Sequence, residues 1–217
     1  MKAKGNLMRN WMVVGALLAG GVFASAEEKA LFNGENLAGW KGDSKLWSVE
    51  DGAIVGKTKG LNYNTFLIAD GEYANFELRF KAKLDANNSG VQFRSKIVDP
   101  SKFVLAGYQA DIAPNYWGLL YEEKARGMID FTRQKEVKNV AKLGEWADYV
   151  IRADGANITI TCNGVETVRY HEKDLDRGAR TGLIGLQLHA GPPMKVEFKD
   201  IKLKKLPPRS EEHTSEL

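Results

Sequence analysis

Asn88-Ser89-Gly90-Val91-Gln92-Phe93-Arg94-Ser95, Gly107-Tyr108-Gln109-Ala110-Asp111-Ile112 and Trp117-Gly118-Leu119-Leu120-Tyr121-Glu122-Glu123 follow one another in the middle of the chain. The first two segments alternate apolar and polar residues, the period of a strand with one face on a core. Val91 and Phe93 then point one way, Gln92 and Arg94 the other. Tyr108, Ala110 and Ile112 share a face, with Gln109 and Asp111 opposite. If the two strands are neighbours, Gln92, Arg94, Gln109 and Asp111 form one polar cluster. An ordinary solvated face carries an unpatterned mix of Lys, Glu and Thr. Amides with one guanidinium and one carboxylate suit a surface that reads hydroxyl groups. On these segments alone, both readings stay open.

Working outward, the same period recurs. Phe76, Leu78, Phe80, Ala82 and Leu84 alternate with Glu77, Arg79, Lys81 and Lys83, a strand with one wet side. Leu46–Val49 and Ile54–Lys57 flank a turn at Glu50-Asp51-Gly52-Ala53, and Thr65–Ile68 is a further strand. Glu145–Ala153, Asn157–Cys162 and Val165–Tyr170 are joined by Asp154-Gly155 and by the hairpin signal Asn163-Gly164. Gly182–His189 sets Leu186 and Leu188 against Gln187 and His189. Met194–Leu206 closes the series, with a change of phase near Asp200. Residues 124–142 are charged and irregular, a long loop of the kind that often borders a site. No convincing helical period appears after the N-terminal segment. A dozen or so short strands with turns between them predict an all-β fold: two antiparallel sheets packed as a jelly-roll sandwich.

Both ends stand apart. Lys2, Lys4 and Arg9 precede the apolar run Trp11–Phe23 and the small residues Ala24-Ser25-Ala26. This is the pattern of a secretory signal peptide over residues 1–26, so the protein is expected to be exported to the periplasm or beyond. The run is short for a membrane span, and no stable insertion is expected after cleavage. Residues 207–217 follow the apolar pattern without continuing it and match translated sequencing-adapter sequence. They are expected to be a disordered, non-native tail, leaving 27–206 as one domain. Resequencing the gene end tests this: a native reading frame through those codons refutes it. Without the two ends the net charge is about +2, which gives no reason to expect nucleic acid as a partner. The single cysteine, Cys162, allows no internal disulfide and lies in an alternating strand, where packing is its expected role.

The chain resembles the 3-keto-disaccharide hydrolase domain family. The resemblance rests on Leu31-Phe32-Asn33-Gly34 with Gly39-Trp40, Trp47-Ser48-Val49-Glu50-Asp51-Gly52, Asn88–Arg94, Tyr108-Gln109-Ala110-Asp111, Gly185-Leu186-Gln187-Leu188-His189 and Val196–Leu203. Each motif is weak alone; six in order over residues 30–206 are specific. The resemblance implies a concanavalin A-like sandwich and cleavage of 3-keto-glycosides. A ketone at C3 acidifies the C2 hydrogen, a base removes it, the C1 substituent leaves, and water adds.

That chemistry needs a base near neutral pKa and donors for an enolate oxygen. Among the residues available, no Ser/His/Asp constellation, zinc-type Cys/His cluster or phosphate-binding glycine loop appears. Some glucanases on this fold carry Glu-x-Asp-x-Glu on one strand, but the comparable strand here offers only Asp111, which argues against the two-carboxylate route. His189 is the expected base. Arg94 either stabilises the enolate or pairs with Asp111; Asp111 orients Arg94, acts as base or helps hold a cation. Glu122 is favoured over Tyr121 as the cleft-facing residue of its strand and as the acid. Gln92, Gln109 and Gln187 are expected to bind sugar hydroxyls, with Trp117 or Tyr116 against the ring and Tyr121 among the substrate contacts. No cofactor is evident, and a divalent metal stays open. A non-catalytic, lectin-like carbohydrate-binding module is the alternative on the same scaffold, with a glycoside or oligosaccharide as the partner in both cases.

Overall fold

The computed structural model describes residues 27–130 and 132–208. The proposed signal peptide and the last nine residues of the proposed tail lie outside the described residues. In chain order the strands are β1 (Glu28–Ala30), β2 (Trp40–Lys41), β3 (Trp47–Glu50), β4 (Ala53–Thr58) and β5 (Thr65–Ala69). Next come β6 (Phe76–Leu84), β7 (Ser89–Asp99), β8 (Val104–Ile112), β9 (Leu120–Glu123) and β10 (Gly127–Met128). A single-turn helix, α1 (Gln134–Val137), precedes β11 (Ala147–Asp154), β12 (Asn157–Cys162), β13 (Val165–His171), β14 (Leu183–Leu188) and β15 (Met194–Lys205). They form two antiparallel sheets. The first runs β13-β12-β11-β6-β15-β4-β3, with β1 also on β15; the second runs β10-β9-β8-β7-β14-β5-β2. This is the all-β sandwich that the alternation predicts. Among the described residues, no helix is long and apolar enough to cross a membrane.

Alternation places the core between the sheets. β6 buries Phe76, Leu78, Phe80, Ala82 and Leu84, and β11 buries Ala147, Tyr149, Ile151 and Ala153 beside them. The second sheet answers with Val91, Phe93, Tyr108, Ala110, Leu186 and Leu188. Phe76 meets Phe93 edge to face across the layers at 6.3 Å, and Phe93 stacks on Tyr108. In β15 the register slips between Lys199 and Lys202, and Asp200 takes φ +54°. The extra residue restores Ile201 and Leu203 to the core, which accounts for the change of phase in the sequence. Cys162 is fully buried in the same core.

Two stretches differ from expectation. Trp117 lies in a turn, and the strand begins only at Leu120. Residues 124–142 are not one open loop: β10 pairs with β9, and α1 buries Val137 in the core.

The departure that shapes the rest is in β7. Arg94 has φ +48°, and the β7–β8 register slips between Phe93 and Lys96. This bulge breaks the alternation, so Arg94 leaves the face that carries Gln92. Its Nε donates to the Ala74 carbonyl (2.9 Å), and Nη1 donates to the carbonyls of Gly155 (2.7 Å) and Ala179 (3.4 Å). Nη2 donates to Asn75 Oδ1 at 3.2 Å. Burial, helped by the charge of Arg180, brings its pKa down to about 10, so it remains a cation at neutral pH. Past the bulge, the β7–β8 hairpin folds back to β5 of its own sheet. Thr65 Oγ1 donates to the Lys102 carbonyl (2.7 Å) and the Phe66 amide to that of Phe103 (3.0 Å). Leu105 lies over Gly185, where an added Cβ would come within 2.5 Å of its Cδ1. Phe66, Ile68 and Leu105 thereby make a second apolar cluster on the outer face of the second sheet.

Replacing the clip exposes its worth. Arg94→Met leaves the partly buried carbonyls of Ala74, Gly155 and Ala179 without this donor, and a loss of about 2 kcal/mol is expected. Urea denaturation measures it, and an unchanged midpoint would show that the clip is dispensable.

Candidate functional site

Pairing register decides which side chains share the outer face of the second sheet. Directly opposed residues in antiparallel strands point to the same side. Ile68 pairs with Gly185, Gly185 with Gln92, Gln92 with Gln109, and Gln109 with Tyr121. One step along, Phe66 pairs with Gln187, and Gly90 with Asp111. Val91, Ala110, Leu120, Leu186 and Leu67 occupy the opposite, core-facing positions. The outer face is therefore apolar on β5, beneath the folded-back hairpin, and polar across β14, β7, β8 and β9.

The polar half is sealed. Gln92 and Gln187 are 0 % exposed, Gln109 3 % and Asp111 4 %. Gly90 makes room for this: an added Cβ would lie 2.5 Å from Gln109 Cδ, so Gln109 rests across β7. Gln109 Nε2 donates to Asp111 Oδ1 at 2.8 Å and reaches Gln187 Oε1 at 3.5 Å. Both polar atoms of Gln92, Oε1 of Gln109, Nε2 of Gln187 and Oδ1 of neighbouring Asn88 are buried with no partner in the protein. Native proteins leave few such groups, because each costs about 1–3 kcal/mol. Here they gather on one face.

Asp111 sits among them. Burial, with a further contribution from the Glu123 carboxylate, pushes its carboxyl up to about 7 against the opposing pull of the Gln109 amide. Tyr121 is raised in the same way, by burial and then by Glu123 and Asp111. Glu123 is itself buried, and sequence reasoning gave it no role. Its signal was present, since it shares the parity of Tyr121 rather than of Glu122. Asn88 was missed as well.

His189 lies two residues beyond Gln187, just past the end of β14, and is half-buried. The adjacent Ala190 amide donates to Asn64 Oδ1 (2.8 Å), which anchors this corner. His189 Nδ1 is 2.5 Å from the Ala190 carbonyl. A carbonyl only accepts, so Nδ1 carries the proton in this contact, and in the neutral ring Nε2 keeps its lone pair.

Three expected site residues stand elsewhere. Arg94 neither pairs with Asp111 nor faces the amides; the bulge sends it to backbone carbonyls in the connections at one end of the sandwich. Glu122 pairs with Tyr108, a core residue, so it points inward rather than toward Gln109. There it forms an ion pair with Arg126, whose Nη2 donates to Glu172 Oε2 at 2.6 Å; the Tyr108 hydroxyl donates to the same oxygen at 2.6 Å. Burial draws Glu172 upward, but Arg126 and Tyr108 overcome it and hold the carboxyl at about 2. Trp117, 3 % exposed, packs in the inter-sheet core and offers no ring to a ligand. The structure thus brings together Gln92, Gln109, Gln187, Asp111 and Tyr121, with His189 adjoining. Among the described residues, no three His, Cys, Asp or Glu side chains gather as a metal site.

The sequence profile of the 3-keto-alpha-glucoside-1,2-lyase-like domain matches residues 27–204. A protein from Parabacteroides distasonis, provisionally described as a glycosyl hydrolase, superposes with a TM-score of 0.62 at 24% identity. That match covers 83% of this chain and 94% of the other. The carbohydrate binding module CBM66 from Bacillus subtilis gives 0.55 at 14% identity, over 77% and 96%. A Bacillus subtilis protein of unknown function with a galectin-like fold gives 0.53 at 10%, over 80% and 92%. These structures share the sandwich. No curated protein sequence matches the chain.

Asp111 makes stability depend on pH. In the unfolded chain its carboxyl ionises near 3.9, whereas in the native protein it holds its proton to about 7. The native state therefore loses stability as pH rises from about 4 to about 7, by on the order of a few kcal/mol, and gains none back above that. Asp111→Asn removes this loss. Its stability relative to the unsubstituted protein should be higher at pH 8 than at pH 4, as read by melting temperature. A difference independent of pH overturns the assignment.

Proposed function

We propose a function from one premise: the chain belongs to the 3-keto-alpha-glucoside-1,2-lyase-like domain family. On that premise the amide face of the second sheet binds a sugar ring, and the protein is an exported enzyme that cleaves 3-keto-glycosides. The observation that carries this reading is the set of buried glutamine atoms without partners beside a carboxyl held near neutrality. Each glutamine offers both a donor and an acceptor, as a hydroxyl does.

The reaction begins at C2, where the neighbouring ketone makes the hydrogen acidic. His189 takes this proton on Nε2. The electrons of the C2–H bond form a C2–C3 enolate, which collapses back to the ketone as a C1–C2 double bond forms and the electrons of the C1–O bond leave with the aglycone oxygen. Asp111, about half protonated at pH 7, gives that oxygen its proton. Glutamine N–H groups hold the enolate oxygen in a buried site, where such bonds are strongest. Water then adds its oxygen to C1 and gives a proton to Asp111, His189 returns its proton to C2, and the sum is hydrolysis of the glycosidic bond. Gln92, Gln109 and Gln187 position the ring through its hydroxyls, and Tyr121 borders it.

The purified mature protein should release nitrophenol from a nitrophenyl 3-keto-glucoside. His189→Ala and Asp111→Asn should each lower kcat by about a hundredfold or more. Its pH profile should carry one limb near 7, the value held by Asp111. Unchanged turnover in His189→Ala removes that residue from the mechanism. Saturable glycan binding with no turnover of oxidised or plain sugars would instead make the domain a binding module.

A further inference from the structure

We infer that this site takes an uncharged sugar ring and excludes uronates and other acidic sugars, with Glu123 as the residue that sets the choice. The inference rests on the sugar reading above and specifies its substrate class. The paired rows on the outer face hold Ile68, Gln92, Gln109, Tyr121, Phe66, Gln187 and Asp111; the cation in them, Lys41 opposite Ile68 on β2, stands at the far end, beyond the apolar half, and is paired with Asp70 at 2.9 Å. The two arginines nearest in sequence are committed elsewhere. Arg94 is spent on backbone carbonyls and Asn75. Arg126 is spent on Glu122 and Glu172 on the inner side.

The face does hold acids. Asp111 is 4 % and Glu123 8 % exposed, and among the described residues neither forms an ion pair. Glu123 acts electrostatically on both Asp111 and Tyr121, which places its charge within reach of the same space. The partnerless atoms of Gln92, Gln109 and Gln187 are the donors and acceptors left for a ligand that reaches this face. Amides match neutral hydroxyls at no electrostatic cost. A sugar carboxylate would enter a dry site without a counter-ion and face a buried carboxylate, an arrangement that costs several kcal/mol. The titratable groups bearing on the site are Asp111, Glu123, Tyr121 and His189; only His189 is a base, and it stands at the half-exposed end.

The test compares nitrophenyl 3-keto-glucoside with nitrophenyl 3-keto-glucuronide on the full mature protein. The neutral substrate should be favoured at least a hundredfold in kcat/KM. Glu123→Gln should narrow that ratio at least tenfold and move the limb near pH 7 to lower pH, because the charge opposing Asp111 ionisation is gone. A wild-type ratio near one, or a preference for the uronide, overturns the inference while leaving the enzymatic reading in place. A ratio unchanged in Glu123→Gln removes Glu123 as its cause. Calorimetry with a neutral glucosyl disaccharide and its glucuronosyl counterpart separates the two claims. Selective binding of the neutral sugar without turnover of either keto substrate upholds this inference and ends the enzymatic one. Binding of neither sugar, with no turnover, overturns both. The wild-type ratio needs no variant, so a Glu123→Gln protein that fails to fold does not block the test.

Discussion

A single residue forced out of its strand, Arg94, is what the outer face of the second sheet depends on. Its left-handed backbone adds the residue that breaks the β7–β8 register. Its guanidinium then gathers carbonyls from three separate connections at one end of the sandwich. A buried cation held only by neutral oxygens is expensive to desolvate, and the lowered pKa reflects that cost. In return, the hairpin beyond the bulge folds back to β5 and covers half of the face with apolar side chains. The uncovered half is the amide cluster. The extent of the candidate site is therefore set by how far the hairpin reaches.

The two halves use opposite physical chemistry. Under the hairpin, Phe66, Ile68 and Leu105 gain from leaving water. Beside it, Gln92, Gln109, Gln187 and Asp111 are equally buried but incompletely bonded. A fold tolerates such groups when a large core elsewhere offsets them, and the aromatic-rich layer between the sheets is such a core. The inner network of Glu122, Arg126, Glu172 and Tyr108 shows the contrast: there acid and base meet, and the carboxylate is held ionised. On the outer face acids meet amides, and Asp111 stays close to neutral.

Much of this was legible in the chain. The period of two fixed β6, β8 and β14 and, with them, the facing of Gln109, Asp111 and Gln187. It failed where one residue was inserted. Nothing in Gln92-Phe93-Arg94-Ser95 signals that Arg94 takes a positive φ, because the cause lies in distant carbonyls that the bulge allows it to reach. Glu122 and Glu123 are adjacent acids, and choosing between them needed the register of β9 on β8, which puts Glu122 beside the core residue Tyr108. Trp117 reads as a strand aromatic but belongs to a turn, where its ring turns into the core. The phase change at Asp200 could be seen because four apolar residues bracket it; no such bracket surrounds Arg94.

The glycines of this face carry a consequence for how the site can change over time. Gly185 is filled by Leu105, and Gly90 by Gln109, so each small residue and its large neighbour form one packed unit. A methyl group at position 90 displaces Gln109, and loss of the Gln109 side chain leaves a gap above Gly90. Neither half of the pair can drift alone without harm, and the combined change is not the sum of the two. Lineages that share this scaffold should therefore exchange such partners jointly.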